Sequence, residues 1–377
     1  MDVPVLDAET PALSDLTPSA LAALGVRGHT DLLGFGARSG VCVLLVDGLG
    51  WELLETYSAD APVLAGLRRR PLRAGYPATT VAGLAAVGTG VPSGQHGLVG
   101  YSFELPGTGV INALRWCRHP DGAALRDLAP ESVQPRPTTF SLAAEAGMAA
   151  TVVSSAQFTD TPLTRAVLSG GDYVGVHAFG DLAAAVRRTL CTRGGLCYAY
   201  HGDLDFMGHG HGPGSAPWRL QLRMIDRLVE LLVEDLPPGS ALAVVADHGM
   251  VTLDDTAINA DAIPALHEGV RAVAGEVRAR HVYTRPGAAD DVLAAWREVL
   301  GERAWVLRRE EAVAHGLFGP AVADYVLPRI GDVVVAARGR SGVLRRRAEP
   351  RESALVGQHG SLSSAEQLVP FALAVRD

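Results

Sequence analysis

The chain has 377 residues, 48% apolar and 20% charged, which is enough apolar content for a sizeable core and excludes a disordered chain. Its formal net charge of -8 excludes a basic coat for long nucleic acid or an anionic membrane. All 33 basic residues are arginine, so chemistry that needs a P-loop lysine or a Schiff-base lysine is excluded as well.

The length suits one large α/β unit or a core with an accessory lobe. The N-terminal MDVPVLDAETPALSDL has neither a basic nor an apolar leader region, and no apolar run reaches the roughly 18 residues of a membrane span. A cytoplasmic protein with no membrane partner is therefore expected. Cys42, Cys117, Cys191 and Cys197 lack a metal or disulfide spacing and are expected to be free thiols.

The first 35 or so residues read as a helical or irregular lead-in. Val41–Val46 is a continuous apolar run ending in Asp47-Gly48, the pattern of a strand buried on both faces of a parallel sheet. Helical patterns cover Trp51–Leu67 and Val81–Val87. A helix over Phe140–Ala146 precedes a strand over Ala150–Val153. Leu196–Tyr200 is a further strand, ending just before Asp203 and Asp205. Pro217–Leu236 is amphipathic, and Ala241–Ala246 is a strand ending in Asp247-His248-Gly249. This alternation indicates an α/β fold with a mainly parallel central sheet flanked by helices. Residues 269–340 differ: strands over Arg280–Tyr283, Trp305–Leu307 and Asp332–Ala336 surround a helix over Ala288–Leu300. They are expected to form a smaller inserted α+β lobe, with residues 1–268 and 341–377 making the core.

In parallel sheets, ligands bind beyond the carboxyl ends of the strands. Here those ends carry Asp47, Asp205 with His209, and Asp247 with His248; another histidine, His359, lies in Gly-Gln-His-Gly. The i, i+4 spacing of Asp205 and His209 puts both on one face of a helical turn, where carboxylate and imidazole can chelate Zn²⁺ or a similar ion. Tyr76-Pro77-Ala78-Thr79-Thr80 reads as a turn into a helix. A threonine there is an N-cap or a nucleophile placed where the helix dipole favours an anion.

Together these residues resemble the alkaline phosphatase superfamily, in its nucleotide pyrophosphatase/phosphodiesterase (type I phosphodiesterase) branch. LLVDGLG, YPATTVAGLAAVGTGVPSGQHGLVGY, DLDFMGHGHGP, VVADHGM and GQHGSL occur in that family's order from about residue 41 to 370. The resemblance implies an alkaline-phosphatase-like core and two divalent metal ions, Zn²⁺ first with Mn²⁺ or Fe as alternatives. Asp47, Thr80, Asp247 and His248 would surround one ion; Asp205, His209 and His359 would surround the other. It implies Thr80 as the nucleophile, with Thr79 as the fallback, and a covalent phosphothreonine intermediate.

The implied activity is hydrolysis of phosphodiester or pyrophosphate bonds in small phosphorylated, nucleotide-like substrates. A phosphonate (phosphonoacetate-type) or phosphomonoester hydrolase and an inert metal-binding module are the alternatives. The family asparagine after the HGLVG segment is replaced by Tyr101-Ser102, with Asn112 nearby, and Pro-Asn after the nucleophile is replaced by Ala82-Gly83. Cys117-Arg118-His119-Pro120 does not match the sulfatase spacing. Arg68 to Arg70, Arg115, Arg118 and Arg165 are candidate phosphate contacts. His96 is expected to brace its turn, and Gln157-Phe158-Thr159-Asp160 to lie near the pocket.

Overall fold

The computed structural model describes residues 3–4 and 9–377, so part of the expected lead-in lies outside the described residues. From residue 9 onward the lead-in contains a short 3₁₀ helix, Leu13–Asp15, and an α-helix, Leu16–Ala23.

Seven strands form the central sheet: β1 (Gly40–Val46), β2 (Arg68–Arg73), β3 (Ala150–Ser155), β4 (Asp172–Val176), β5 (Gly195–His201), β6 (Ser240–Val245) and β7 (Leu368–Arg376). Their order is β2-β7-β6-β1-β5-β3-β4. β1 pairs in parallel with both β5 and β6, and every residue of β1 is buried, which is why it reads as an unbroken apolar run. β7 runs antiparallel to β6 and β2. β2, RRRPLR, is an edge strand with Pro71 facing Pro370 of β7. Neither alternation nor an apolar run betrays it in the sequence, because an edge strand gains from charge and proline.

The helical pattern over Trp51–Leu67 is broken into Trp51–Thr56 and Pro62–Gly66. Pro62 starts the second helix because proline fits the first turn and not a helix interior. Between them Asp60 is buried and takes Arg219 and Arg223 as partners at 2.6 Å each.

A second sheet of four antiparallel strands, ordered Val270–Glu276, Ala279–Thr284, Val333–Ala337 and Ala304–Arg308, lies in the 269–340 segment. The Ala289–Leu300 helix packs on it through Val292, Leu293 and Trp296. Arg278 joins this sheet to the C-terminal part of the chain through a fully buried, two-pronged ion pair with Glu366, at 2.7 and 2.6 Å. No helix among the described residues is long and apolar enough to cross a membrane.

Candidate active site

The seven candidate residues, distributed from position 47 to position 359, gather at the carboxyl end of the central sheet. Asp47 follows β1 and Asp247-His248 follows β6. Asp205 and His209 lie on the Asp203–His211 helix, which starts two residues after β5. Two overlapping clusters result. Asp205, His209 and His359 form one; Asp47, Asp205 and His248 form the other, with ligand-capable atoms within 4.8 Å of one another in each. Asp205 thus belongs to both. Asp247 sits beside the second cluster, its Oδ2 3.6 Å from His248 Nε2.

Each histidine is oriented by its far nitrogen. Nδ1 of His209 faces the carbonyl of Gly357 at 2.8 Å, Nδ1 of His248 that of Gly249 at 3.0 Å, and Nδ1 of His359 that of Ala78 at 2.9 Å. A carbonyl can only accept, so the proton is assigned to each Nδ1 and the Nε2 lone pairs point into the site. His209 Nε2 and His359 Nε2 stand 3.3 Å apart, and the His248 and His359 rings stack at 3.6 Å.

Two glycines permit this approach. Gly48, at φ +75°, leaves its would-be Cβ position 3.0 Å from Asp205 Cβ. Gly83 would place a Cβ 2.5 Å from Asp247 Cβ, so the helix carrying Thr80 lies against Asp247 only because residue 83 has no side chain.

The charge balance favours a cation. Asp47, Asp205 and Asp247 each keep one buried oxygen, Oδ1, Oδ1 and Oδ2 respectively, with no hydrogen-bond partner. Burial, then Asp247 and Asp205, push Asp47 well above the usual carboxylate range. Burial also raises Asp247. Burial pushes His359 well below the usual imidazole value. Three converging carboxylates and lone pairs aimed at one another are costly unless a positive charge sits among them. The donor set of carboxylate and imidazole matches that need.

The two threonines are separated by their surroundings. Thr80, the first residue of the Thr80–Thr89 helix, places Oγ1 3.2 Å from His248 Nε2 and lines the adjoining cavity. Thr79 is buried; burial raises the Glu276 carboxyl of the second sheet to about 7, and Thr79 is among the neighbours that oppose the rise.

His96 is fully buried and its Nδ1 accepts the Leu98 N–H at 3.1 Å; burial, then Arg329, lower it to about 3, so it braces the turn as a neutral ring. Tyr101, where the family asparagine was expected, turns its hydroxyl to Glu352 at 2.9 Å, and Asn112 Oδ1 accepts the Arg115 N–H at 2.9 Å. Of the candidate arginines, Arg69 pairs with Glu55 and Arg165 with Glu131, while Arg115 lines the cavity. His211 is exposed at the end of its helix.

Sequence reasoning missed Tyr200, whose hydroxyl donates to Asp47 Oδ2 at 2.5 Å. Its position near the carboxyl end of β5, the strand paired with β1, was the available signal.

The family model for type I phosphodiesterase / nucleotide pyrophosphatase matches residues 41–362. No curated protein sequence matches significantly. Among solved structures, murine ectonucleotide pyrophosphatase/phosphodiesterase 5 aligns with TM-score 0.69 and 17% identity, over 88% of this chain and 87% of that one. An inactive form of the same murine protein, in complex with AMP, aligns at 0.68 and 17% identity over 88% of this chain and 87% of that one. Phosphonoacetate hydrolase from Sinorhizobium meliloti 1021, in complex with phosphonoformate, aligns at 0.68 and 20% identity over 90% and 91%. These likenesses establish the shared fold. With the family match spanning most of its length, the chain belongs to the type I phosphodiesterase / nucleotide pyrophosphatase family and is a hydrolase.

Proposed function

We propose that the chain hydrolyses phosphodiester or pyrophosphate bonds in small substrates, nucleotide-like ones included, with Thr80 as the nucleophile. The observation that carries this reading is the Thr80 hydroxyl at a helix N-terminus, open to the cavity and 3.2 Å from His248 Nε2. Asp47, Asp247 and His248 would hold one divalent ion beside Thr80, and Asp205, His209 and His359 the second. Zn²⁺ is the first choice for this donor set, with Mn²⁺ or Fe as alternatives. When bound, the ions supply Lewis acidity and offset phosphoryl charge.

The chain's own residues do the rest. Thr80 Oγ1 bonds to phosphorus as the bond to the leaving alcohol breaks, and the hydroxyl proton ends on that alcohol. Water then cleaves the phosphothreonine, restoring the hydroxyl and releasing the monoester. Backbone N–H groups at the start of the Thr80–Thr89 helix would face the phosphoryl oxygens. The AMP complex of the murine neighbour supports a nucleotide-like substrate.

The test is turnover of bis-p-nitrophenyl phosphate by protein loaded with Zn²⁺ or Mn²⁺, beside Thr80→Ala, p-nitrophenyl phosphate and phosphonoacetate. Diester turnover that disappears in Thr80→Ala is expected. Equal rates in both proteins would overturn the nucleophile. Preferred turnover of phosphonoacetate or the monoester would move the substrate class, and metal binding without turnover of any would leave an inert module.

A further inference from the structure

The cavity that opens beside Thr80 has a volume of about 800 Å³ and runs from Asp47, Thr80 and Asp205 into the gap around β3, β4 and β5. That is the upper part of the range for ligand sites. Its far side is formed by Val167, Leu168, Val176 and Leu182, all buried. Its mouth holds Leu114, Phe158 and Phe206, which are 45%, 37% and 70% exposed and are thus large apolar groups left facing water at the entrance.

Several of the polar side chains along the wall are engaged within the protein. Tyr173 donates its hydroxyl to the Ser155 carbonyl at 2.7 Å, Thr164 to the Phe158 carbonyl at 2.8 Å, and Tyr200 to Asp47. Tyr198 Oη, buried and without a hydrogen-bond partner, is one donor left over. Arg115 is the arginine on the lining, sufficient for the single charge of a diester. A nucleobase pressed against Val167, Leu168, Val176 and Leu182 would leave its donors and acceptors on that side unpaired, which is costly, whereas hydrocarbon would gain by burial.

We infer that this cavity receives the ester group of the substrate and selects it for apolar area, so that aryl and medium-length alkyl phosphodiesters are preferred over nucleotide esters. The inference rests on the phosphodiesterase reading and narrows its substrate class.

The experiment compares kcat/KM of the metal-loaded enzyme on p-nitrophenyl alkyl phosphates from methyl to hexyl and on p-nitrophenyl thymidine 5′-phosphate. The expected result is a gain of about three- to fourfold per methylene, with the hexyl ester exceeding the nucleotide ester. In Val176→Phe, which shortens the cavity, the gain stops at a shorter chain. Independently of turnover, calorimetric titration of metal-loaded Thr80→Ala should show tighter binding of hexyl than methyl p-nitrophenyl phosphate. A flat alkyl series, a nucleotide ester better than every alkyl ester, or equal calorimetric affinities would each overturn the inference. Absence of all diester turnover would instead sink the phosphodiesterase reading, and the calorimetry would still decide what the cavity binds.

Discussion

Thr80 Oγ1 and His248 Nε2 lie 3.2 Å apart although 168 positions separate them in the chain. The helix that begins at Thr80 brings the hydroxyl, and the turn after β6 brings the imidazole, whose Nδ1 is engaged by the Gly249 carbonyl. Loss of the hydroxyl in Thr80→Ala should lower kcat/KM by about 10³-fold or more without unfolding the protein. Thr80→Ser, which keeps an oxygen, should retain part of the rate. Steady-state kinetics with circular dichroism as the folding control checks both.

Asp205 stands in both clusters, its Oδ2 3.2 Å from His209 Nε2 and its Oδ1 3.9 Å from His359 Nε2. Asp205→Asn removes a charge that both clusters share. The metal content per chain after loading and gel filtration, read by elemental analysis, should fall further than in His359→Ala, which removes a donor from one cluster only.

Tyr200 is a positioning residue for Asp47. Its hydroxyl, at 2.5 Å from Oδ2, fixes one carboxylate oxygen and leaves Oδ1 free. Tyr200→Phe keeps the ring and should weaken metal binding by about 10- to 100-fold. Competition with a chromogenic chelator measures this, and excess metal should restore activity. A purely structural role would leave the affinity unchanged.

Gly83→Ala sets two effects against each other. Alanine in a helix interior should stabilise by about 0.5–1 kcal/mol. Here the new Cβ would lie 2.5 Å from Asp247 Cβ, and overpacking of this kind costs about 1–3 kcal/mol. A net loss in denaturant midpoint is expected, together with lower activity, because Asp247 must move.

Glu349 makes a pH-dependent contribution to stability. Burial pushes its carboxyl up, but Arg280 at 2.7 Å, His119 at 2.9 Å and Arg345 at 3.1 Å outweigh burial and hold it at about 2. The folded value lies below the unfolded one. Its contribution is therefore full above about pH 4.5 and is lost as the pH falls toward 2. Glu349→Gln should destabilise the fold by about 3–5 kcal/mol at neutral pH, as breaking one partner of a buried charge network does. Unfolding curves of the two proteins should converge as the pH drops through that window.

The sequence determined the elements whose burial is uniform. β1 and β6 are apolar on both faces because parallel strands inside an α/β sheet have no wet side, and Asp47, Asp247 and His248 follow directly from their ends. The i, i+4 pair of Asp205 and His209 was legible because it depends only on helical geometry. The charge inventory was equally legible: without lysine, fixed positive charge at the site has to come from arginine or metal.

Only the tertiary structure decided the relations that depend on contacts between distant segments. It buried Thr79 and turned Thr80 to His248, though neighbouring threonines are equivalent in sequence. It made Asp205 common to both clusters and gave Asp47 its Tyr200 partner across the β1–β5 pairing. It occupied Tyr101 with Glu352, a residue 251 positions away. Edge strand β2 and the apolar cavity were hidden for the same reason. Local pattern records which face of an element is wet or dry, whereas the identity of the side chain met across a gap is set by how the elements pack.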